Sequence, residues 1–226
     1  MSTVAVITAT TGRDTLRQTI ESVAAQTYPC NHYVIVDGND DVQFTDAYKG
    51  EVVYLPRRTG GNGMMNGAIL AMAAYLATED YLCFCDDDNW FASDHVESLV
   101  KALEEKNAAY AYSLRKLCNP DGGFWANDDG EAIGHHGDLV DANCYLFRRD
   151  LAVGIAPLWY RTEGPMCVGD RYAWAALKQN NVPWAATGRY TLNYRISARG
   201  QDMKPFFFMK NAIARSKYPD GFPWAV

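Results

Sequence analysis

Three consecutive carboxylates, Asp86–Asp88, form the part of the sequence whose chemistry most needs an explanation. They follow the apolar run YLCFC at 81–85 directly and lead into Trp90 and Phe91. At neutral pH adjacent carboxylates repel one another, so they need a counter-ion, solvent or raised pKa values to coexist. A solvated acidic turn would meet this need, but the apolar residues on both sides favour a position at the end of a buried strand.

Three other apolar runs also end in polar residues. They are VAVIT, HYVIV and EVVYL, at 4–8, 32–36 and 51–55. Short continuous runs of this kind are typical of strands buried on both faces of a parallel sheet. In an open α/β sheet, ligands bind outside the carboxyl ends of the strands. The sequence therefore predicts one sheet edge that gathers Thr8–Thr11, Asp37, Arg57–Asn62 and Asp86–Asp88.

The predicted edge combines hydroxyls, arginines, a glycine-rich backbone and the acidic triplet. This set suits a nucleoside diphosphate bound with a divalent metal, and hard oxygen ligands favour Mg²⁺ or Mn²⁺. A cation would also relieve the repulsion within the triplet. Single residues have simpler interpretations: Asp37 is equally typical of a turn before Gly38, and Thr10 and Thr11 are typical helix-capping residues.

Helical segments separate the predicted strands. Apolar residues recur at helical spacing before Pro29, the segment 62–77 has a helical composition, and Ser93 is placed to cap a helix with its apolar stripe at Val96–Leu103. Less regular strands are predicted at 108–117, 138–150 and 182–196, with a helix that begins near Asp170. Strands that alternate with helices predict an α/β fold with a mixed, mostly parallel sheet.

Composition limits the classes of function. The 226 residues are 48% apolar and carry a net charge of −6, which argues against nucleic-acid binding as the main activity. We expect no signal peptide, no spanning helix, and reduced thiols typical of a cytoplasmic protein. The tail segment KPFFFMKNAIARSKY at 204–218 is expected to pack on the body; the alternative is peripheral contact with a membrane, at its inner face.

The segment 4–41 resembles the start of the family-2 glycosyltransferases, which have the GT-A fold. In that family a strand, a Pro-Thr-x-Asn-Arg-like turn, a helix with a Leu, Ser-Val and Gln-Thr-Tyr pattern, and a strand that ends in Val-Asp follow one another. The matching residues are Thr10, Arg13, Leu16, Ser22, Val23, Gln26, Thr27, Tyr28, Val36, Asp37 and Gly38. Two positions depart, since Ala9 stands where Pro is usual and Gly12 where Asn is usual.

Later motifs extend the resemblance over roughly residues 3–200. The segment CDDDNW resembles the family's DxD motif, with Asn89 in place of the last carboxylate. The segment VGDRYAWAALKQ resembles the helix start that carries the catalytic base, with Gly169 in place of Glu and Asp170 matching the Asp. The family's arginine at 65 is absent, because Met65 stands there, so Arg57 or Arg58 would have to supply the phosphate contact.

The resemblance implies a single GT-A domain over 1–226, with a nucleotide-sugar half at 1–108, an acceptor half at 109–200 and a tail at 201–226. It implies inverting transfer of a sugar from a nucleoside-diphosphate sugar, with UDP-sugar favoured, in the presence of Mn²⁺ or Mg²⁺. The acceptor would be a hydroxyl of a glycan, a lipid-linked sugar or a protein-linked glycan.

The resemblance also implies roles for individual residues. Asp88, with Asp86, would hold the metal. Asp170 would be the general base, ionised because a helix start lowers the pKa of a carboxyl group; Asp141 and Glu163 compete for this role, and His135–His136 is a candidate for contact with metal or acceptor. The donor would be bound by Thr8, Ala9, Thr10, Thr11, Arg13, Asp37, Arg58, Asn62, Asn66, Asp86 and Asp87.

Two other classes of function stay open from the sequence. A nucleotidyltransferase would normally show a glycine-rich, basic loop after the first strand, and TATTGRDTL has one Gly and one Arg there. A non-catalytic module that binds glycan or nucleotide is favoured by the departures at Met65, Asn89 and Gly169. Turnover separates such a module from an enzyme.

Overall fold

Four parallel strands form the first half of the fold in the computed structural model, which describes residues 2–61, 65–129, 140–163, 166–196 and 204–221. The strands are β1 (Val4–Thr10), β2 (Asn31–Asp37), β3 (Glu51–Leu55) and β4 (Tyr81–Phe84). They lie in the order β3-β2-β1-β4. Helix α1 (Leu16–Ala24) connects β1 to β2, and α2 (Gly67–Leu76) precedes β4.

The second half continues the same sheet with mixed strand directions. Its strands are β5 (Trp90–Phe91), β6 (Tyr110–Cys118), β7 (Phe124–Asn127), β8 (Tyr145–Arg148) and β11 (Trp184–Arg195). Strand β8 lies antiparallel between β4 and β6, and β11 runs parallel to β6 and antiparallel to β5. The nine-stranded order is therefore β3-β2-β1-β4-β8-β6-β11-β5, with β7 paired to β6.

Helices cover the sheet, and a small hairpin completes the described elements. The helices are α3 (His95–Glu105), α4 (Arg149–Trp159), α5 (Gly169–Gln179) and α6 (Lys204–Lys217); the hairpin consists of β9 (Thr162–Glu163) and β10 (Met166–Cys167). The predicted α/β architecture with a mixed sheet is confirmed. No helix in the described part of the chain is long and apolar enough to cross a membrane.

The central strands are buried on both faces, as their continuous apolar sequence predicts. Val6 in β1 and Leu82 and Cys83 in β4 are completely inaccessible to solvent. Trp159, at the end of α4, packs edge-on against Phe84 with ring centroids 5.4 Å apart. Full burial of such side chains stabilises the fold by about 1.5–3 kcal/mol each, so the strand ends that lead to the site are rigidly held.

The strand register brings the predicted polar ends to a common edge. Thr10 pairs with Val36, directly before Asp37, and Ile7 pairs with Phe84, so the acidic triplet begins beyond this last pair. Strand β11, which runs parallel to β6, ends in Arg195 at the same edge. There the Arg195 backbone N–H donates to the Asn89 side-chain oxygen at 3.0 Å.

The start of α3 differs from the prediction. Asp94, not Ser93, is the N-cap residue, and its side chain makes no capping hydrogen bond. The side chain of Gln26 takes this role instead: its amide oxygen accepts from the Val96 backbone N–H at 3.0 Å, and its amide nitrogen donates to the Ala92 carbonyl at 2.8 Å. Gln26, which is distant in sequence, thus caps the helix start for which the local sequence pattern had predicted Ser93 as the cap.

The cysteines in the described residues form no disulfide. Cys30, Cys83, Cys85, Cys118 and Cys144 are free thiols, and all but the half-buried Cys30 are buried. Burial raises the pKa of the Cys83 and Cys85 thiols well above their ordinary value. These two side chains therefore serve as apolar packing groups in β4 and just beyond it.

Close packing of two helices requires glycine at position 169. A Cβ atom at Gly169 would lie 2.4 Å from the Trp159 carbonyl oxygen and 2.7 Å from the Trp159 Cα atom. Backbone atoms cannot move aside as a flexible side chain can. The start of α5 therefore approaches the end of α4 too closely to carry any side chain at this position.

We predict that Gly169→Ala lowers the free energy of unfolding by about 1–3 kcal/mol, the usual cost of overpacking. The matched control is Gly154→Ala in α4, where an added Cβ meets no atom within 4 Å; relief of glycine's backbone entropy should raise stability there by about 0.5–1 kcal/mol. Urea denaturation of both variants measures the two effects. Equal stability of Gly169→Ala and the wild type would contradict the packing argument.

Candidate functional site

A cavity of about 440 Å³ opens at the sheet edge that the sequence predicted. Most of the predicted donor and metal residues line it, namely Ala9, Thr10, Thr11, Arg13, Asp37, Arg58, Asn66, Asp86, Asp87 and Asp88. The cavity wall is completed by Gly60, Met65, Ile69, Tyr194 and Arg195. Strand ends, the loop after β3 and the end of β11 thus meet around the acidic triplet.

Several predicted residues lie elsewhere. Thr8 does not line the cavity. Its hydroxyl lies in the buried interior, 2.9 Å from Nε2 of His32 in the neighbouring strand β2. Asn62 and His135–His136 lie outside the described residues, as does the side chain of Glu163.

The predicted general base, Asp170, lies at the start of α5 and does not line the cavity. Its carboxylate accepts a hydrogen bond from the Arg171 backbone N–H at 2.8 Å. The helix start was expected to lower its pKa, and this expectation is wrong: burial, and then the nearby charge of Asp141, raise the pKa of Asp170 above its ordinary value. Desolvation outweighs the helix dipole here.

Asp87 and Asp88 are held by groups from the turn after β1. The Thr10 hydroxyl donates to Asp87 at 2.7 Å, and Arg13 forms an ion pair with Asp88 and lies 3.4 Å from Asp87. Burial raises the pKa of both carboxyls, while Arg13 opposes the shift. Because the Arg13 side chain is 55% exposed, solvent screens its charge and each pair contributes no more than about 1 kcal/mol.

Asp86 is held by amide groups. The Asn66 side chain donates to one carboxylate oxygen at 2.6 Å, and the Asn143 side chain donates to the other at 2.8 Å. The Asn143 oxygen in turn accepts the Asp86 backbone N–H. Burial and the charge of Asp88 raise the pKa of Asp86 to about 7. Amide donors orient this carboxylate, but they supply no positive charge, so its charge is only partly compensated.

A buried arginine lies behind these amides. Arg115 is 4% exposed, and its guanidinium binds Asp128 at 2.9 Å and also Asp141. Asp141 accepts from the Asn143 side chain at 2.8 Å, and the Tyr194 ring lies 4.3 Å from the Arg115 guanidinium carbon. A chain of polar contacts therefore runs from Arg115 through Asp141 and Asn143 to the acidic triplet.

Sequence reasoning assigned no role to Asn143 or Arg115. The available signal was a charged residue among the apolar residues of the strand predicted at 108–117, since a charge that becomes buried is almost always paired. The sequence offered no means of identifying the partners of Arg115, because they lie in other segments. Asp128 directly follows β7, and Asp141 lies shortly before β8.

Asp37 fixes the loop that carries Arg58. Its carboxylate accepts from the Thr59 backbone N–H at 2.7 Å, the Thr59 hydroxyl at 2.9 Å and the Gly60 backbone N–H at 3.1 Å. The loop approaches so closely that a Cβ at Gly38, whose φ is +61°, would lie 2.2 Å from the Arg58 backbone nitrogen. Asp37 therefore acts as a turn aspartate while it also lines the cavity.

Arg195 joins the end of β11 to the acidic turn. Its Nε donates to the Asp88 carbonyl oxygen at 3.0 Å, and its guanidinium lies over the Trp90 ring at 4.9 Å. Asn89, which is 1% exposed, accepts the Arg195 backbone N–H. A carboxylate at position 89 could accept the same hydrogen bond, but it would be buried and would add to the charge of the triplet.

The raised pKa of Asp86 predicts how stability depends on pH when no metal is present. The folded carboxyl, with a pKa of about 7, binds its proton more tightly than the unfolded one, with a pKa near ~3.9. Between these two pKa values the folded state binds more protons than the unfolded state, so the free energy of unfolding falls as pH rises. Above pH ~7 the loss of stability from ionised Asp86 is complete. We expect Asp86→Asn to remove this loss.

The measurement is urea denaturation in EDTA at pH 4.5 and pH 8 for wild type, Asp86→Asn and the surface control Asp40→Asn. The variant should gain at least ~1 kcal/mol relative to wild type between the two pH values, and the control should follow the wild type. The comparison isolates Asp86, since the buried His32 and His95 are shared by all three proteins. Parallel pH profiles of wild type and Asp86→Asn would refute the assigned pKa.

Solved structures share this architecture. S. aureus TarS 1–349 in complex with UDP superposes with a TM-score of 0.62 at 14% identity, over 94% of this chain and 65% of that one. The same protein in complex with UDP-GlcNAc gives a TM-score of 0.64 at 14% identity, over 95% and 66%. This chain thus spans just under two thirds of those chains, and at such identity the likeness shows the fold alone.

Comparison of the sequence with curated proteins gives no significant match. The model of the family described as glycosyl transferase family 2 matches residues 4–156, which is more than half of the chain and contains the whole cavity apart from Tyr194 and Arg195. The chain therefore belongs to glycosyl transferase family 2.

Proposed function

We propose that this protein is an inverting glycosyltransferase that takes a sugar from a nucleoside-diphosphate sugar, with UDP-sugar as the favoured donor. The observation that carries the proposal is the cavity at the strand ends, where an acidic triplet lies among Arg13, Arg58 and Arg195. Family membership supports the reaction class. The ligands in the TarS complexes, UDP and UDP-GlcNAc, support the choice of donor.

The residues at the triplet fit a divalent cation. Carboxylate oxygens are the ligands that Mg²⁺ and Mn²⁺ prefer, and the raised pKa of Asp86 indicates negative charge that neighbouring groups leave partly uncompensated. No ready-made group of three metal-binding side chains occurs in the described residues. A Mg²⁺ site does not require such a group, because it commonly uses one or two carboxylates together with substrate phosphates.

Asp88, with Asp86, would hold the cation. When bound, the cation would stabilise the negative charge of the departing diphosphate as a Lewis acid. The protein's own contribution is to fix the carboxylates in place: Thr10 and Arg13 hold Asp87 and Asp88, and Asn143 holds Asp86.

Arginine side chains would contact the diphosphate from two other directions. Arg58 lines the cavity on a loop anchored by Asp37, and from there it would supply the phosphate contact for which the resemblance implies an arginine at 65. Arg195 also lines the cavity, at the end of β11. Guanidinium groups are well suited to phosphate oxygens because they offer paired donors.

Asp170 is the proposed general base. In an inverting transfer the acceptor oxygen forms a bond to the anomeric carbon as the bond to the diphosphate breaks, and the hydroxyl proton passes to a carboxylate. Burial raises the pKa of Asp170, which makes its carboxylate a stronger base. Asp141 remains the competing candidate for the base. Its charge acts on Asp170, and its carboxylate is paired with the buried Arg115.

We predict that Asp170→Asn lowers kcat at least 100-fold and leaves donor affinity within about twofold, because a base contributes roughly 10²–10⁴ to the rate. The matched control is Asp150→Asn. Asp150 occupies the same position in α4 as Asp170 does in α5, and its carboxylate makes the same 2.8 Å contact with the next backbone N–H. If Asp170 only stabilises a helix start, both variants will keep full activity.

We also predict that Asp88→Asn abolishes manganese-dependent nucleotide release and weakens manganese-dependent binding of UDP at least tenfold. The assay screens nucleotide sugars with glycan and lipid-linked acceptors, and measures nucleotide release together with calorimetric binding of UDP. Binding of UDP without release under every condition would favour a non-catalytic module. Release that does not depend on a divalent cation would refute the metal assignment.

A further inference from the structure

Tyr194 lines the cavity near the end of β11, where its ring is held firmly from two sides. The Arg115 guanidinium carbon lies 4.3 Å from the centre of the Tyr194 ring. The ring also packs against the small apolar cluster of Leu117, Ile196 and Phe207, the last of which belongs to α6. A buried cation and a buried apolar cluster therefore fix the direction in which the Tyr194 hydroxyl points.

The Tyr194 hydroxyl forms no hydrogen bond with the residues that the structure describes. By contrast, the hydroxyl of Tyr190, four residues earlier in the same strand, donates to Asp129 at 2.6 Å. The hydroxyls of Tyr110 and Tyr145 also lack a partner in the described part of the chain, but these side chains are buried and do not line the cavity. Tyr194 thus brings an unused hydrogen-bond donor to the cavity wall.

The charges of the acidic triplet act on the Tyr194 hydroxyl. Burial is the main cause that raises the pKa of Tyr194, and Arg115 opposes the shift. The negative charges of Asp141, Asp86 and Asp88 add to the effect of burial, and the pKa reaches about 12. The phenol is therefore protonated at neutral pH, and it lies on the side of the cavity where the proposed metal ligands would meet the diphosphate.

The strand order indicates which phosphate would lie nearest to Tyr194. Asp37 ends β2, the acidic triplet follows β4 and Tyr194 lies near the end of β11, so the triplet lies between the other two along the sheet. A nucleotide with its nucleoside beside Asp37 and its diphosphate at the triplet would direct its β-phosphate, which carries the sugar, toward Tyr194.

We infer that Tyr194 is a donor-binding residue whose hydroxyl donates a hydrogen bond to the β-phosphate of the nucleoside-diphosphate sugar. The inference rests on the proposed function, because it requires a nucleotide in the cavity. A phenol suits this position since it can donate to a phosphate oxygen without a positive charge, which would compete with the metal for Asp86 and Asp88. The contact needs only the diphosphate, so UDP without a sugar is a sufficient probe.

The substitution Tyr194→Phe tests the inference, because it removes the hydroxyl and keeps the ring that packs on Arg115. Calorimetry in the presence of Mn²⁺ compares the binding of UDP with that of UMP, which has no β-phosphate. We expect the variant to bind UDP about tenfold more weakly than the wild type, because a hydrogen bond to a charged group is lost. Its affinity for UMP should stay within about twofold of the wild-type value.

The matched control is Tyr190→Phe in the same strand. This variant loses the hydrogen bond to Asp129, so it should unfold at a lower urea concentration while its affinity for UDP stays unchanged. Tyr194→Phe should show the opposite pattern, with unchanged urea unfolding and weaker UDP binding. The two patterns separate a hydroxyl that contacts ligand from one that stabilises the fold.

The outcomes distinguish failure of this inference from failure of the proposed function. Equal affinity of the wild type and Tyr194→Phe for UDP would overturn the inference and leave the proposed function intact. An equal loss of UDP and UMP binding would also overturn it, because the lost contact would then not involve the β-phosphate. If the wild type binds no UDP, the proposed donor is wrong and the inference fails with it.

Discussion

Repulsion among three adjacent carboxylates at the end of β4 is the constraint around which the site is arranged. Each carboxylate is held by a different means: Asp88 by the arginine of the turn after β1, Asp87 by a hydroxyl and the same arginine, and Asp86 by amides alone. Amides fix direction without neutralising charge, which is why burial can raise the pKa of Asp86 to about 7. A divalent cation, as in the proposed function, would compensate this remaining negative charge.

The two halves of the chain meet in this site. Strand β4 pairs with β8, and directly before β8 the turn at 142–144 supplies Asn143 to the acidic triplet. Asn143 is also bonded to Asp141, and Asp141 to the buried Arg115, so the position of Asp86 depends on a charge cluster from the second half. The first and second halves of the chain are thus connected through hydrogen bonds as well as through one continuous sheet.

The sequence was informative wherever local pattern decides structure. Apolar runs predicted β1, β2 and β4, and the geometry of parallel strands then collected Thr10, Asp37 and the triplet at one edge. It was uninformative where long-range pairing decides: Gln26 caps α3 across 70 residues, and Arg195 reaches the edge through a strand with register shifts. The dipole argument for Asp170 failed because burial, a tertiary property, is the larger effect on its pKa.

The most direct test of the account is a crystal structure of the protein with UDP and Mn²⁺, with the manganese located by anomalous diffraction. The account predicts a single strong peak bonded to Asp88 and to a diphosphate oxygen, with Arg58 and Arg195 directed at the phosphates. Two results would contradict the account: a manganese peak away from residues 86–88, or UDP bound anywhere other than in the cavity that Asp37 lines.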